Sequence, residues 1–230
     1  MTGRSCMFSA LLLVLFFGLA PDVFAHGVDE NTKQFLAANA GYEIVAFMYI
    51  GAKHMVTGYD HLLFLVGVIF FLYRSRDVLL YVTLFTVGHS LTLMTGVLNH
   101  INVNPYLIDA IIGLSIVYKG FDNLGGFQQI LGWRPDTKLM VFVFGLFHGF
   151  GLATKLQDFP LDESYLVGNL VSFNIGVELG QLGALFFILL LLAAWRRHAS
   201  FLKFATAANI LLMSGGMMLI GYQLAGYFTA

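Results

Sequence analysis

His54-Met-Val-Thr-Gly-Tyr-Asp60-His61 runs directly into the apolar stretch from Leu62 to Tyr73. Imidazoles and a carboxylate at the mouth of an apolar helix are costly in a bilayer unless they meet partners. The composition sets that bilayer context. Hydrophobic residues make up 58% of the chain and charged ones 11%, against roughly 25% charged in soluble domains, and mean hydropathy is +0.80. An all-α, polytopic membrane helix bundle is the expected fold. A net charge of -1 supplies no basic stripe to neutralise phosphates, so nucleic acid is excluded as a partner. The chain has no Gly-Lys-Ser/Thr phosphate loop, which excludes ATP hydrolysis.

Outward from that stretch, the N-terminus reads as a secretory leader. Arg4, the apolar run Met7 to Ala20 and the small-residue site Val23-Phe24-Ala25 predict a signal peptide over 1–25, cut after Ala25. Cys6, the only cysteine, leaves with it, so thiolate sites and disulfides are not expected in the mature chain. His26 would then be the first residue, with an amine and an imidazole able to chelate a metal. Residues 26–57 are expected to form a periplasmic N-terminal segment in which 42–57 make an interfacial or re-entrant helix. Residues 58–230 should hold about six transmembrane helices, the first near Gly58 and the others near 77–98, 106–122, 138–156, 165–194 and 204–228.

Lys and Arg set the direction. Arg74, Arg76, Lys119, Arg134, Lys138, Arg196, Arg197 and Lys203 fall at one set of span ends, and only Lys33, Lys53 and Lys155 at the other. The mature N-terminus is therefore expected in the periplasm of a bacterial inner-membrane protein.

Direction gives depth. Asp60 and His61 fall in the outer third of the first span, and Asp109 at a similar level of the third. His89, followed by Ser90, lies near the middle of the second span and His148 near the middle of the fourth. Asn174, Glu178 and Gln181 follow one another at spacings of four and three in the fifth. His54 is two turns before His61 and shares its face if one helix covers both. Gly145 and Gly149, like Gly176 and Gly180, have the spacing of close helix packing. The expected metal set is His54, Asp60, His61, His89, Asp109, His148 and Glu178, with Ser90, Asn174, Gln181 and His26 as support. Imidazole and carboxylate without thiolate suit nickel, cobalt, zinc or iron.

Asp60-His61-Leu-Leu-Phe-Leu, Phe85-Thr-Val-Gly-His89-Ser90, Phe147-His148-Gly149 and Phe173-Asn174-Ile-Gly-Val-Glu178 resemble the signature blocks of the HupE/UreJ family of membrane proteins. The resemblance implies a hydrogenase or urease accessory role and inward secondary transport of a divalent metal, nickel or cobalt, with the metal ion and the lipid bilayer as partners. The family's H-x5-D-H motif falls on His54, Asp60 and His61. Its Phe-His-Gly motif is normally followed by a carboxylate, but Phe150 to Leu156 contains none, and Glu178 is the candidate replacement.

In the expected transport path, His54, Asp60 and His61 collect the metal and His89, His148 and Glu178 receive it deeper in the membrane. The alternative is an intramembrane zinc-dependent hydrolase with a three-histidine site. Ligands strung along a path would favour transport, and a closed set at one depth the hydrolase.

Overall fold

In a computed structural model, the described residues are 41, 43–157 and 163–229. The expected signal peptide, its cleavage site and His26 lie outside them. The described residues form helices and turns only: α1 (Ile44–Thr57), α2 (Tyr59–Ile69), α3 (Ser75–Leu98), α4 (Pro105–Asn123), the short α5 (Gly126–Leu131), α6 (Thr137–Leu156), α7 (Leu166–Arg196) and α8 (Ser200–Thr229).

The helix starts follow from local chemistry. Asn104 accepts a hydrogen bond from the Leu107 amide and is followed by Pro105, whose fixed φ suits a first helical position. Asp136 accepts from the amides of Lys138 and Leu139. Gly125 and Gly132 bracket α5 at φ 72° each, a left-handed backbone that glycine adopts without steric cost.

Of the expected spans, α3, α6, α7 and α8 are long and apolar enough to cross a membrane. These four of the described helices are fewer than the six spans expected, and the difference falls on α4 and on the region around Gly58. Asp109, Ser115, Lys119 and Asp122 dilute the hydropathy of α4, yet all four are buried inside the bundle. The span expected from about Gly58 is the 11-residue α2, shorter than a crossing requires, and the extended backbone of Gly58 (φ -73°, ψ 97°) separates it from α1.

The 42–57 region, expected as an interfacial or re-entrant helix, packs lengthwise on α7. A Cβ on Gly176 would fall on the Met48 carbonyl and one on Gly180 on Ala52, so α1 and α7 run in the same direction. The Asn169 amide donates to the Gly41 carbonyl at 3.0 Å, and its oxygen accepts from the Glu43 amide at 3.2 Å, which ties the head of α1 to the head of α7. At the other end, Arg196 of α7 donates to the carbonyls of Ile69, Phe70 and Leu72. These are the carbonyls that a helix C-terminus leaves without partners. One long helix thus holds both ends of a broken one.

The remaining helices pair in the same small-residue fashion. Gly88, Gly145 and Gly149 bring α3 and α6 into backbone contact, running in parallel, while Gly113, Gly120 and Gly216 do so for antiparallel α4 and α8. The expectation that the Gly145/Gly149 and Gly176/Gly180 spacings mark packing faces agrees with these contacts. Asn123 joins three helices by donating to the Gly67 carbonyl of α2 and to Asn209 of α8.

These directions gather Arg74, Arg134 and Arg196 at one end of the bundle. There Asp122 accepts from Lys119 at 2.6 Å and from Arg134 Nε at 2.5 Å. The hydrogen bond to the Asp122 carboxylate pushes the Arg134 pKa up. Large apolar side chains such as Phe186, Phe187, Leu190 and Met218 stay exposed on α7 and α8, the composition of a lipid-facing surface.

Gly176→Ala should place a methyl group on a backbone carbonyl and lower stability by about 1–3 kcal/mol. Gly183→Ala, in the same helix with nothing within 4 Å of its added carbon, should leave stability unchanged or slightly raised by helix propensity. Thermal unfolding of the two variants in detergent checks the contrast.

Candidate metal centre

Gly58 sets the geometry of the site. By ending α1 just after His54 and starting α2 just before Asp60, it turns both imidazoles and the carboxylate inward at one level. His54 and His61 are 5.1 Å apart between ring centroids. From α6, His148 approaches His61 to 4.8 Å, and from α3 His89 approaches it to 5.7 Å. His61 is thus the hub of four imidazoles carried by four helices. One donor atom from each of Asp60, His61 and His148 lies within 4.8 Å of the others, and all three residues are buried. The histidines of the expected outer and deeper stations lie together with Asp60 in one cluster.

Its surroundings are apolar on both sides. Towards the head of α7 lie Phe47, Ile50, Met55, Leu93, Leu152 and Phe173. Towards the basic end lie Phe64, Leu65, Val68, Phe85 and Phe144, with the Phe64 and Phe85 rings 5.5 and 5.0 Å from that of His148. Polar atoms in such a layer cost free energy unless they are hydrogen-bonded or ligated.

Two neighbours orient the imidazoles. Asp60 Oδ1 lies 3.1 Å from His61 Nδ1. A carboxylate accepts only, so Nδ1 carries the proton and Nε2 holds the lone pair. Ser115 donates to the Ile112 carbonyl at 2.6 Å, which leaves its oxygen to accept from His148 Nε2 at 3.3 Å. His148 then keeps its lone pair on Nδ1. His89 differs: it is 1% exposed, and neither of its ring nitrogens has a hydrogen-bond partner among the described residues. A buried imidazole with two unused nitrogens beside a histidine–carboxylate cluster is the donor chemistry a borderline metal takes.

The other expected residues divide. Asp109 of α4 is buried and pairs with Lys155 of α6 at 2.8 Å. Glu178 is not brought into the cluster. It lies on the exposed side of α7 with Ile175, Leu179 and Leu182. The reason is helical phase: Gly176 and Gly180 face α1, and a residue two positions from Gly176 points to the opposite side. Gln181 is a strut between helices, accepting from Thr86 of α3 at 3.0 Å. Asn174 donates to the Leu170 carbonyl of its own helix. Ser90 is half-buried beside His89.

Ser115, Lys155 and Asn169 carry no local sequence signal of a place at the site or at a helix clamp. A serine inside a span and a lysine in the last turn of one are too common to stand out, and each takes its role from a partner on another helix.

A helical membrane protein with a buried histidine–carboxylate cluster at a broken span is the class that this fold and site define. The HupE/UreJ protein family model matches residues 30–230. The chain belongs to the HupE/UreJ family, and that membership implies a metal transport or accessory role. No curated protein matches the chain, and no solved structure does.

In metal-free protein, His89→Leu should leave stability unchanged or slightly raised, because a buried polar group without partners is replaced by an apolar one. Thermal unfolding with a chelator present measures it. A fall of more than about 1 kcal/mol, the worth of a typical hydrogen bond, would show that His89 has a structural partner.

Proposed function

We propose that the protein is a permease for a divalent transition metal, nickel or cobalt, moving it inward across the bacterial inner membrane to supply metalloenzyme maturation. The observation that carries this reading is the Asp60, His61 and His148 cluster in a chain of the HupE/UreJ family. His54 and His89 complete the set around His61. The tautomers set by Asp60 and Ser115 offer Nε2 of His61 and Nδ1 of His148 to the incoming ion. The basic end faces the cytoplasm by the positive-inside rule, which puts the head of α1 on the periplasmic side.

The cavities beyond the cluster support passage. A small space lined by His61, Phe64, Phe85, Val68 and Tyr81 lies beside it. Val68 and Tyr81 also line a cavity of about 610 Å³ at the basic end, together with Lys119, Asp122 and Arg134. Phe64 and Phe85 stand between the cluster and this larger cavity, so release requires these rings to move. Binding must stay weak enough for the ion to leave, as in any conducting path.

The compactness of the cluster favours a second reading. Donors gathered at one depth, not strung along a path, fit an intramembrane hydrolase in which these same residues would hold zinc to activate water. Tight, stoichiometric zinc in the purified protein would support that reading, and weak, exchangeable nickel or cobalt the permease.

For the permease, the double variant His61→Ala, His148→Ala should lower nickel or cobalt uptake into proteoliposomes by at least about tenfold, since losing even an outer partner of a ligand typically costs that much. Unchanged uptake would sink the proposal.

A further inference from the structure

The Asp109 carboxylate, one of the residues expected to meet metal, is held by the ammonium of Lys155 at 2.8 Å. Lys155 lies two turns beyond His148 on α6, and Asp109 less than two turns from Ser115 on α4. Ser115 meets His148, so the ion pair sits above the cluster, between it and the end of the bundle where α1 and α7 begin.

Charge counting gives this pair a task. A divalent cation among neutral imidazoles and one carboxylate, Asp60, leaves a buried excess of one positive charge. Such an excess is expensive in an apolar layer. A second carboxylate removes it, and Asp109 is that carboxylate if its present partner withdraws. Lys155 is placed to withdraw: it occupies the last turn of α6, its side chain is 16% exposed, and its long apolar stem lets the ammonium reach towards water.

Resting on the permease reading, we infer that Lys155 is a tethered stand-in cation, which neutralises Asp109 while the site is empty and gives way when a divalent ion enters. The swap sets affinity by competition. It also selects for valence, because a monovalent ion is already balanced by Asp60 and gains nothing from displacing the lysine.

The two ends of the pair therefore have opposite effects on metal affinity. In Lys155→Gln, the lysine no longer competes with the metal for Asp109, and nickel or cobalt should bind on the order of tenfold tighter. In Asp109→Asn, the second carboxylate that would offset the excess positive charge is lost, and binding should weaken by a similar factor. Lys155→Arg keeps the charge and should stay close to wild type. Equilibrium dialysis of the full chain in detergent measures affinity. The metal-induced rise in unfolding temperature is a second readout and should be larger in Lys155→Gln than in wild type, even if that variant is less stable without metal.

Both partners weakening binding together, or neither changing it, would mark the pair as structural and overturn the inference while leaving the permease reading intact. Wild-type protein with no binding that depends on His61 and His148 would overturn both.

Discussion

The constraint behind the structure is the burial of three imidazoles and a carboxylate, with a fourth, half-buried imidazole beside them, in a layer with apolar packing on either side. Hydrocarbon and aromatic side chains pack around the cluster towards both ends, so its polar atoms depend on one another or on a ligand. The helix break, the glycine contacts and the orienting partners can each be read as a response. Gly58 lets two histidines seven residues apart approach within one level of the bundle. The glycines of α6 let His148 and His89 come close, because α3 and α6 meet at their backbones. Asp60 and Ser115 fix which nitrogen of each ring carries the proton.

His89 differs from the polar side chains that join helices in this bundle. Where helix association is the task, polar side chains find definite mates, as Gln181 does with Thr86, or Asn123 with Gly67 and Asn209. His89 finds none among the described residues. The bundle therefore contains both kinds of buried polar group. The struts lie along the helix seams, and the unsatisfied imidazole lies beside the hub.

The bundle architecture was legible because apolar length is a strong signal, and the unbroken apolar spans α3, α6, α7 and α8 stood out on that basis. The split span was partly hidden because Lys53, His54 and Asp60 lower the hydropathy where its halves meet, and Gly58 resembles an ordinary helix start. Within the site, His61, His89 and His148 were legible because an ionisable group deep in a span has few alternatives to an inward position. Glu178 was misplaced because spacing reveals which residues share a face, not which face turns inward. Gly176 and Gly180 decide that for α7, and Glu178 is out of phase with them. Ser115 and Lys155 could not be recognised from their own surroundings in the chain, since each depends on the register of α4 against α6.

The clamping of α1 and α2 on α7 has a further mechanical meaning. Asn169 grips one end of the broken span and Arg196 the other, a separation of roughly 40 Å at the rise of an α-helix. Between those anchors α7 is continuous and the broken span is not. It therefore serves as a splint across a fracture: the outer ends are held in register, and the remaining freedom is concentrated at the joint, where His54, Asp60 and His61 lie. Small rotations of either fragment would change the spacing of these donors with little disturbance of the lipid-facing shell, so the ligand sphere can be compliant inside a stiff frame.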